Sequence, residues 1–82
     1  MRVEITQSAQ KEIEKLPDQI LPGIRQKILA LADEPIPRGS KKLEGSDYYR
    51  VRVGNYRIIY MLDKVSQRVV ITRVRHRREV YR

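Results

Sequence analysis

The stretch "YRVRVGNYRIIY", residues 49–60, decides the fold. Gly54-Asn55 is a two-residue turn signal, and the segments on either side read as two extended runs, which is the pattern of an antiparallel hairpin. A two-residue loop fixes the register: Val53 opposite Tyr56, Arg52 opposite Arg57, Val51 opposite Ile58, Arg50 opposite Ile59. Side chains alternate across a strand, so Tyr49, Val51, Val53, Tyr56, Ile58 and Tyr60 share one face, the side to be buried. The other face carries Tyr48, Arg50, Arg52, Arg57, Ile59 and Met61. There Arg52 and Arg57 oppose each other directly, an arrangement that destabilises a sheet by roughly 0.2–1 kcal/mol. A fold that keeps such a pair is expected to meet something negative.

Working outward, "SQRVVITRV" (66–74) makes a third extended run after the looser turn "DKVS" (63–66). A five-residue turn would pair Leu62 with Arg68 and set Arg73 beside Arg57. Upstream the period changes. "MRVEIT" (1–6) alternates as a short edge strand, and Ala9, Ile13 and Leu16 then recur at helical spacing, with Thr6 or Ser8 placed to cap and Pro17 to terminate. A second helical pattern puts Ile20, Ile24, Ile28 and Leu31 on one face and ends at Pro35; Pro22 fits it if it lies in the first turn. "PIPRGSKKLEGS" (35–46) is a loop by composition. The order strand, helix, helix, three antiparallel strands predicts an α+β fold with both helices on one sheet face, built as a single domain over residues 1–82.

The charge is as uneven as the hydropathy. Residues 1–47 balance their acids and bases, so the whole net charge of +8 sits in residues 48–82, where arginine supplies nearly all the cations. Arginine's planar fork suits paired hydrogen bonds to phosphate and stacking on bases, so a polyanion-binding face is expected. The chain has no cysteine and one histidine, and its acids are scattered, which leaves no convincing metal cluster. No run approaches the ~18 apolar residues of a membrane span, and a secretory signal is not evident; a soluble, cytoplasmic protein without metal or cofactor is expected.

Three segments in fixed order, "KLEG" (42–45), "YRVRVGNYRIIY" (49–60) and "HRREVYR" (76–82), complete a resemblance that spans essentially the whole chain. It resembles the RelE-like toxins of bacterial and archaeal toxin–antitoxin pairs, within the wider RelE/ParE group. The resemblance implies a compact microbial-ribonuclease-like fold and an endoribonuclease that cuts messenger RNA in the ribosomal decoding site. The cleavage it implies needs no metal: the RNA's own 2′-hydroxyl attacks the adjacent phosphorus and a 2′,3′-cyclic phosphate is left. By the same resemblance, Arg50 and Arg52 fall where some relatives carry lysines tied to catalysis. Arg57 matches an arginine on the scissile phosphate, and Tyr81 a tyrosine that stacks on or activates the substrate. Arg75 stands where relatives often have glycine.

That reaction needs cations on the phosphate, a group to take the 2′-proton and a group to protonate the 5′-oxygen. Arg50, Arg52 and Arg57 meet the first need, with Arg73, Arg75, Arg77 and Lys42 as further phosphate contacts. Arginine stays protonated and is a poor base, which leaves His76 and Tyr81 as candidates for proton transfer. The implied partners are a cognate antitoxin, the ribosome and messenger RNA. Two other functions share these features: a ParE-like poison of DNA gyrase without nuclease activity, and a non-catalytic RNA- or ribosome-binding module that only grips phosphates.

Overall fold

The computed structural model describes residues 1–80 of the 82-residue chain. The elements run β1 (Arg2–Ile5), α1 (Gln7–Glu14), α2 (Leu21–Asp33), β2 (Lys41–Lys42), β3 (Tyr48–Val53), β4 (Tyr56–Asp63), β5 (Arg68–His76) and a short α3 (Arg77–Val80). They build a five-stranded mixed sheet in the order β1-β5-β4-β3-β2, with α1 and α2 packed on it in an α+β arrangement.

Local chemistry explains where the helices begin. Thr6 is extended, and its hydroxyl accepts the Ala9 N–H at 3.2 Å, satisfying one of the backbone donors that a helix start leaves open. Pro22 lies in the first turn of α2, where its missing N–H removes no helical hydrogen bond. Both helices then turn their apolar stripes inward: Ala9 and Ile13 from α1, and Ile24, Ile28 and Leu31 from α2, are buried against Val51, Ile58, Tyr60, Val69 and Ile71 of the sheet. Each fully buried Ile, Leu or Val contributes about 1.5–3 kcal/mol. Tyr60 stacks on Tyr49 with ring centroids 5.7 Å apart, and its hydroxyl donates to the Pro35 carbonyl at 2.8 Å. Burial pushes the Tyr60 phenol above its ordinary value, so this donor keeps its proton.

The β3–β4 register is the expected one, with Arg52 opposite Arg57 and Val53 opposite Tyr56. Gly54 takes a positive φ of 57°, as the first central residue of a type II′ turn requires. Three features depart from the sequence-based expectation. Lys41–Lys42, inside the segment read as a loop, form a two-residue edge strand that pairs with β3. β1 pairs in parallel with β5, joining the two ends of the chain through Arg2–Ile5 and Arg68–Ile71.

The β4–β5 register also differs. Asp63 pairs with Arg68 and Leu62 with Val69, because the turn holds four residues rather than five. The Asp63 carboxylate tightens that turn by accepting the Ser66 N–H at 3.1 Å. The register then shifts between Tyr60, opposite Ile71, and Ile59, opposite Arg73, so that Thr72 is one residue extra in β5. The Thr72 hydroxyl donates to the Ile59 carbonyl at 3.1 Å across this bulge. Past it the facing of β5 reverses: Val69 and Ile71 point to the core before it, Val74 after it. Arg75, and not Arg73, therefore lies beside Arg57.

Candidate nucleic-acid interface

The hairpin and the bulge together lay out the basic face. Arg52, Arg57 and Arg75 are successive cross-strand partners on β3, β4 and β5, forming a row of three guanidinium-bearing positions at the ~4.8 Å spacing of neighbouring strands. Two residues further along, a second row runs Lys41, Arg50, Ile59, Arg73. Lys41 belongs to this face because it pairs with Arg50. Lys42 pairs with Tyr49 and is exposed at the sheet edge, where it helps wall a recess beside Arg57.

Arg57 occupies the middle of this field and differs from its neighbours in burial. Only 5% of it is exposed, whereas Arg52 and Arg73 are open to solvent and Arg50 and Arg75 are half-buried. It lines two recesses at once. One, of about 140 Å³, lies under the hairpin turn between Arg52, Gly54, Asn55, Tyr56 and Arg77. The other, of about 370 Å³, is walled by Lys41, Lys42, Leu43, Glu44, Arg50 and Ile59. A charge withdrawn from water acts through a lower effective dielectric, which distinguishes Arg57 from the more exposed arginines around it.

The end of the chain is brought to the same recess by the backbone. The Arg77 N–H donates to the Asn55 carbonyl at 2.7 Å, which hooks the start of α3 onto the hairpin turn and places Arg77 over the smaller recess. Asn55 and Lys41 were not singled out by sequence reasoning. Asn55 was legible as a turn residue, but nothing local announced that its carbonyl would hold the chain end.

His76 lies elsewhere. It is the cross-strand partner of Tyr56, one residue out of phase with the Arg57–Arg75 pair, so its ring faces the helix side of the sheet. The two rings meet edge-on, with centroids 5.2 Å apart and an interplanar angle of 87°. They share a recess with Glu12, Lys15, Leu16 and Val74, and the His76 Nδ1 accepts the Arg78 N–H at 3.3 Å. The structure thus gathers Arg50, Arg52, Arg57, Arg73, Arg75 and Arg77; the His76 ring lies across the sheet from the Arg57–Arg75 pair, and His76 also lines a recess with Asn55, Arg77 and Arg78 at the start of α3. Tyr81 lies outside the described residues.

Arg73 and Arg75 have an acidic neighbour that sequence reasoning also missed. The Glu12 carboxylate of α1 reaches Arg75 Nε at 2.7 Å and Arg73 Nη1 at 3.5 Å, and it accepts the Val74 N–H at 2.9 Å. Among the described residues no group of three or more His, Asp or Glu could hold a metal ion. No described helix is long and apolar enough to cross a membrane.

The α+β domain with its one-sided arginine field matches toxins of type II toxin–antitoxin systems. The family model described as "ParE toxin of type II toxin-antitoxin system, parDE" matches residues 3–81. Toxin RelG of Mycobacterium tuberculosis is 34% identical over 84 residues, covering 98% of this chain and 94% of that protein. Among solved structures, the archaeal RelE–RelB complex from Pyrococcus horikoshii matches with a TM-score of 0.83 at 32% identity, covering 93% of each chain. The toxin–antitoxin complex RelBE2 from M. tuberculosis matches with a TM-score of 0.79 at 33% identity, covering 92% of this chain and 95% of that one. The chain belongs to this family of type II toxins and is a RelE-like member of it.

Proposed function

We propose that residues 1–82 act as one toxin domain, a ribosome-dependent endoribonuclease that cuts messenger RNA in the cytoplasm and is held in check by a cognate antitoxin. The observation that carries this reading is the Arg52–Arg57–Arg75 row, with the buried Arg57 at its centre and a recess on either side. A gyrase poison working through protein contacts has no need of such a phosphate cradle. The antitoxin is proposed because the similar RelE chains were solved with RelB.

In this reading the scissile phosphate sits over Arg57, with Arg52, Arg75 and Arg77 around it. The 2′-oxygen of the preceding ribose bonds to phosphorus and the bond to the 5′-oxygen breaks, leaving a 2′,3′-cyclic phosphate. Negative charge grows on the non-bridging oxygens as this proceeds, and fixed guanidinium groups in a partly desolvated site stabilise it without reorganising. The arginines do not accept the 2′-proton, since they remain protonated. His76 faces the other side of the sheet with Nδ1 engaged, which favours a structural role for it at the β5–α3 corner. Proton transfer is accordingly assigned to Tyr81 together with water.

The test is a purified translation system programmed with a defined message. Wild type should cut the message at codons in the decoding site, and Arg57→Ala should lower the rate by about 100-fold or more, the usual effect of removing a transition-state charge donor. Message that stays intact overturns the nuclease reading. Inhibition of supercoiling by gyrase in a parallel reaction would then assign the chain to the gyrase branch, and RNA binding alone to a non-catalytic module.

A further inference from the structure

β5 outruns its parallel neighbour. β1 stops at Ile5, opposite Ile71, and the chain leaves the sheet at Thr6 to enter α1. Among the described residues no strand lies beside that edge of β5 beyond Ile71, so its outward backbone donors need another partner. Glu12 supplies one: its Oε1 accepts the Val74 N–H at 2.9 Å. This backbone contact fixes where the second oxygen points. Oε2 receives Arg75 Nε at 2.7 Å and stands 3.5 Å from Arg73 Nη1.

The choice of atom matters. A guanidinium held at Nε is oriented as a plane, and its Nη groups, which make the paired hydrogen bonds to phosphate, stay available. The hydrogen bond between Glu12 and Arg75 is made at Nε. Glu12 also places one negative charge at the end of a row of three like charges that otherwise repel.

We propose that Glu12 is a positioning residue of the basic face, which uses the Val74 backbone to hold Arg75 flat beside Arg57 with its Nη edge presented to an RNA phosphate. The inference rests on the proposed function, because it takes phosphate to be the ligand of that face. The opposite action, a carboxylate that competes with phosphate for Arg75, would carry the opposite sign in the cleavage-rate and RNA-binding measurements below.

Glu12→Gln tests it, since the amide oxygen can still accept the Val74 N–H while the charge that holds Arg75 is lost. In the translation assay, Glu12→Gln should lower the single-turnover cleavage rate by roughly tenfold or more, with half-saturation by ribosomes little changed. In an Arg75→Ala background the same substitution should add no further loss. Two arms do not depend on cleavage. The Arg75 Nε–H resonance should be sharp and slow to exchange in wild type and lose that protection in Glu12→Gln. Binding of a short single-stranded oligoribonucleotide should weaken, with its log–log salt slope reduced by about 0.7, one phosphate contact. Wild type that binds the oligoribonucleotide but cuts no message removes the nuclease reading and leaves Glu12 to be judged by these two arms. An unchanged resonance, an equal or faster rate, tighter RNA binding, or additive losses with Arg75→Ala would overturn the inference, as would failure of wild type to bind RNA.

Discussion

Arg57 stands directly opposite Arg52 on the neighbouring strand, yet the first is 5% exposed and the second is open to solvent. Two cations in register thus act through different media. The charge of Arg57 is weakly screened, whereas that of Arg52 is diluted by water and salt. Arg57→Ala should therefore depress single-turnover cleavage at least tenfold more than Arg52→Ala. The contrast should widen at higher ionic strength, because the exposed residue has less to lose there. Equal losses, or a larger one for Arg52, would show that burial does not rank these residues.

The hairpin turn is both a structural and a functional joint. Gly54 adopts a φ of 57°, costly for an L side chain by about 1–2 kcal/mol, and it lines the recess beside Arg57. Gly54→Ala should lower Tm by roughly 4–16 °C for a chain of this length. Since the Asn55 carbonyl next to it anchors Arg77, cleavage should fall as well. A thermal melt unchanged within 2 °C would contradict the assigned turn.

Tyr60 ties the far end of the sheet to the loop after α2 through its bond to the Pro35 carbonyl. Tyr60→Phe keeps the ring stack on Tyr49 and removes the hydroxyl that donates to the Pro35 carbonyl and also meets the Ser40 side chain, leaving a carbonyl partly unsatisfied. The expected loss is about 1 kcal/mol in denaturant unfolding, with cleavage per folded molecule unaltered because the site is remote. A loss above about 3 kcal/mol would mean that the hydroxyl does more than make these contacts.

Asp63 gives a pH signature at the turn between β4 and β5. The Arg68 guanidinium, with the Ser66 backbone N–H, holds the Asp63 carboxyl below its ordinary value of 3.8. The native state thus binds this proton more weakly than the unfolded chain does. The stabilisation is present in full above pH 3.8 and is lost as pH falls through the lower native value. Wild type should melt above Asp63→Asn at pH 7, and the gap should close on acidification below 3.8. A gap that stays constant to strong acid would rule out the pairing as its source.

How much of this was legible without coordinates varies by element. The hairpin register was, because a two-residue loop leaves one pairing and alternation then places Arg52 against Arg57. The helix starts were too, since Thr6 and Pro22 act on their own neighbours. The β4–β5 register was not. A one-residue bulge at Thr72 decides which arginine joins the row, and nothing in "VVITRVRH" distinguishes a bulged strand from a regular one. Lys41–Lys42 lies in a segment with the composition of a loop, and a two-residue strand has no periodicity to detect. His76 read as part of the basic field from its sequence neighbours, and the same register turned its ring to the helix side.

By itself, then, the sequence determined the local elements, the apolar face of the hairpin and the concentration of arginine in the second half, all set by contacts between residues close along the chain. Tertiary structure decided which cations form one row, that Arg57 is withdrawn from water, and that Glu12 of α1 meets Arg75 of β5. Those outcomes depend on the parallel pairing of β1 with β5 and on the Thr72 bulge. Both join segments far apart in the chain, and their geometry is fixed only when the whole core packs.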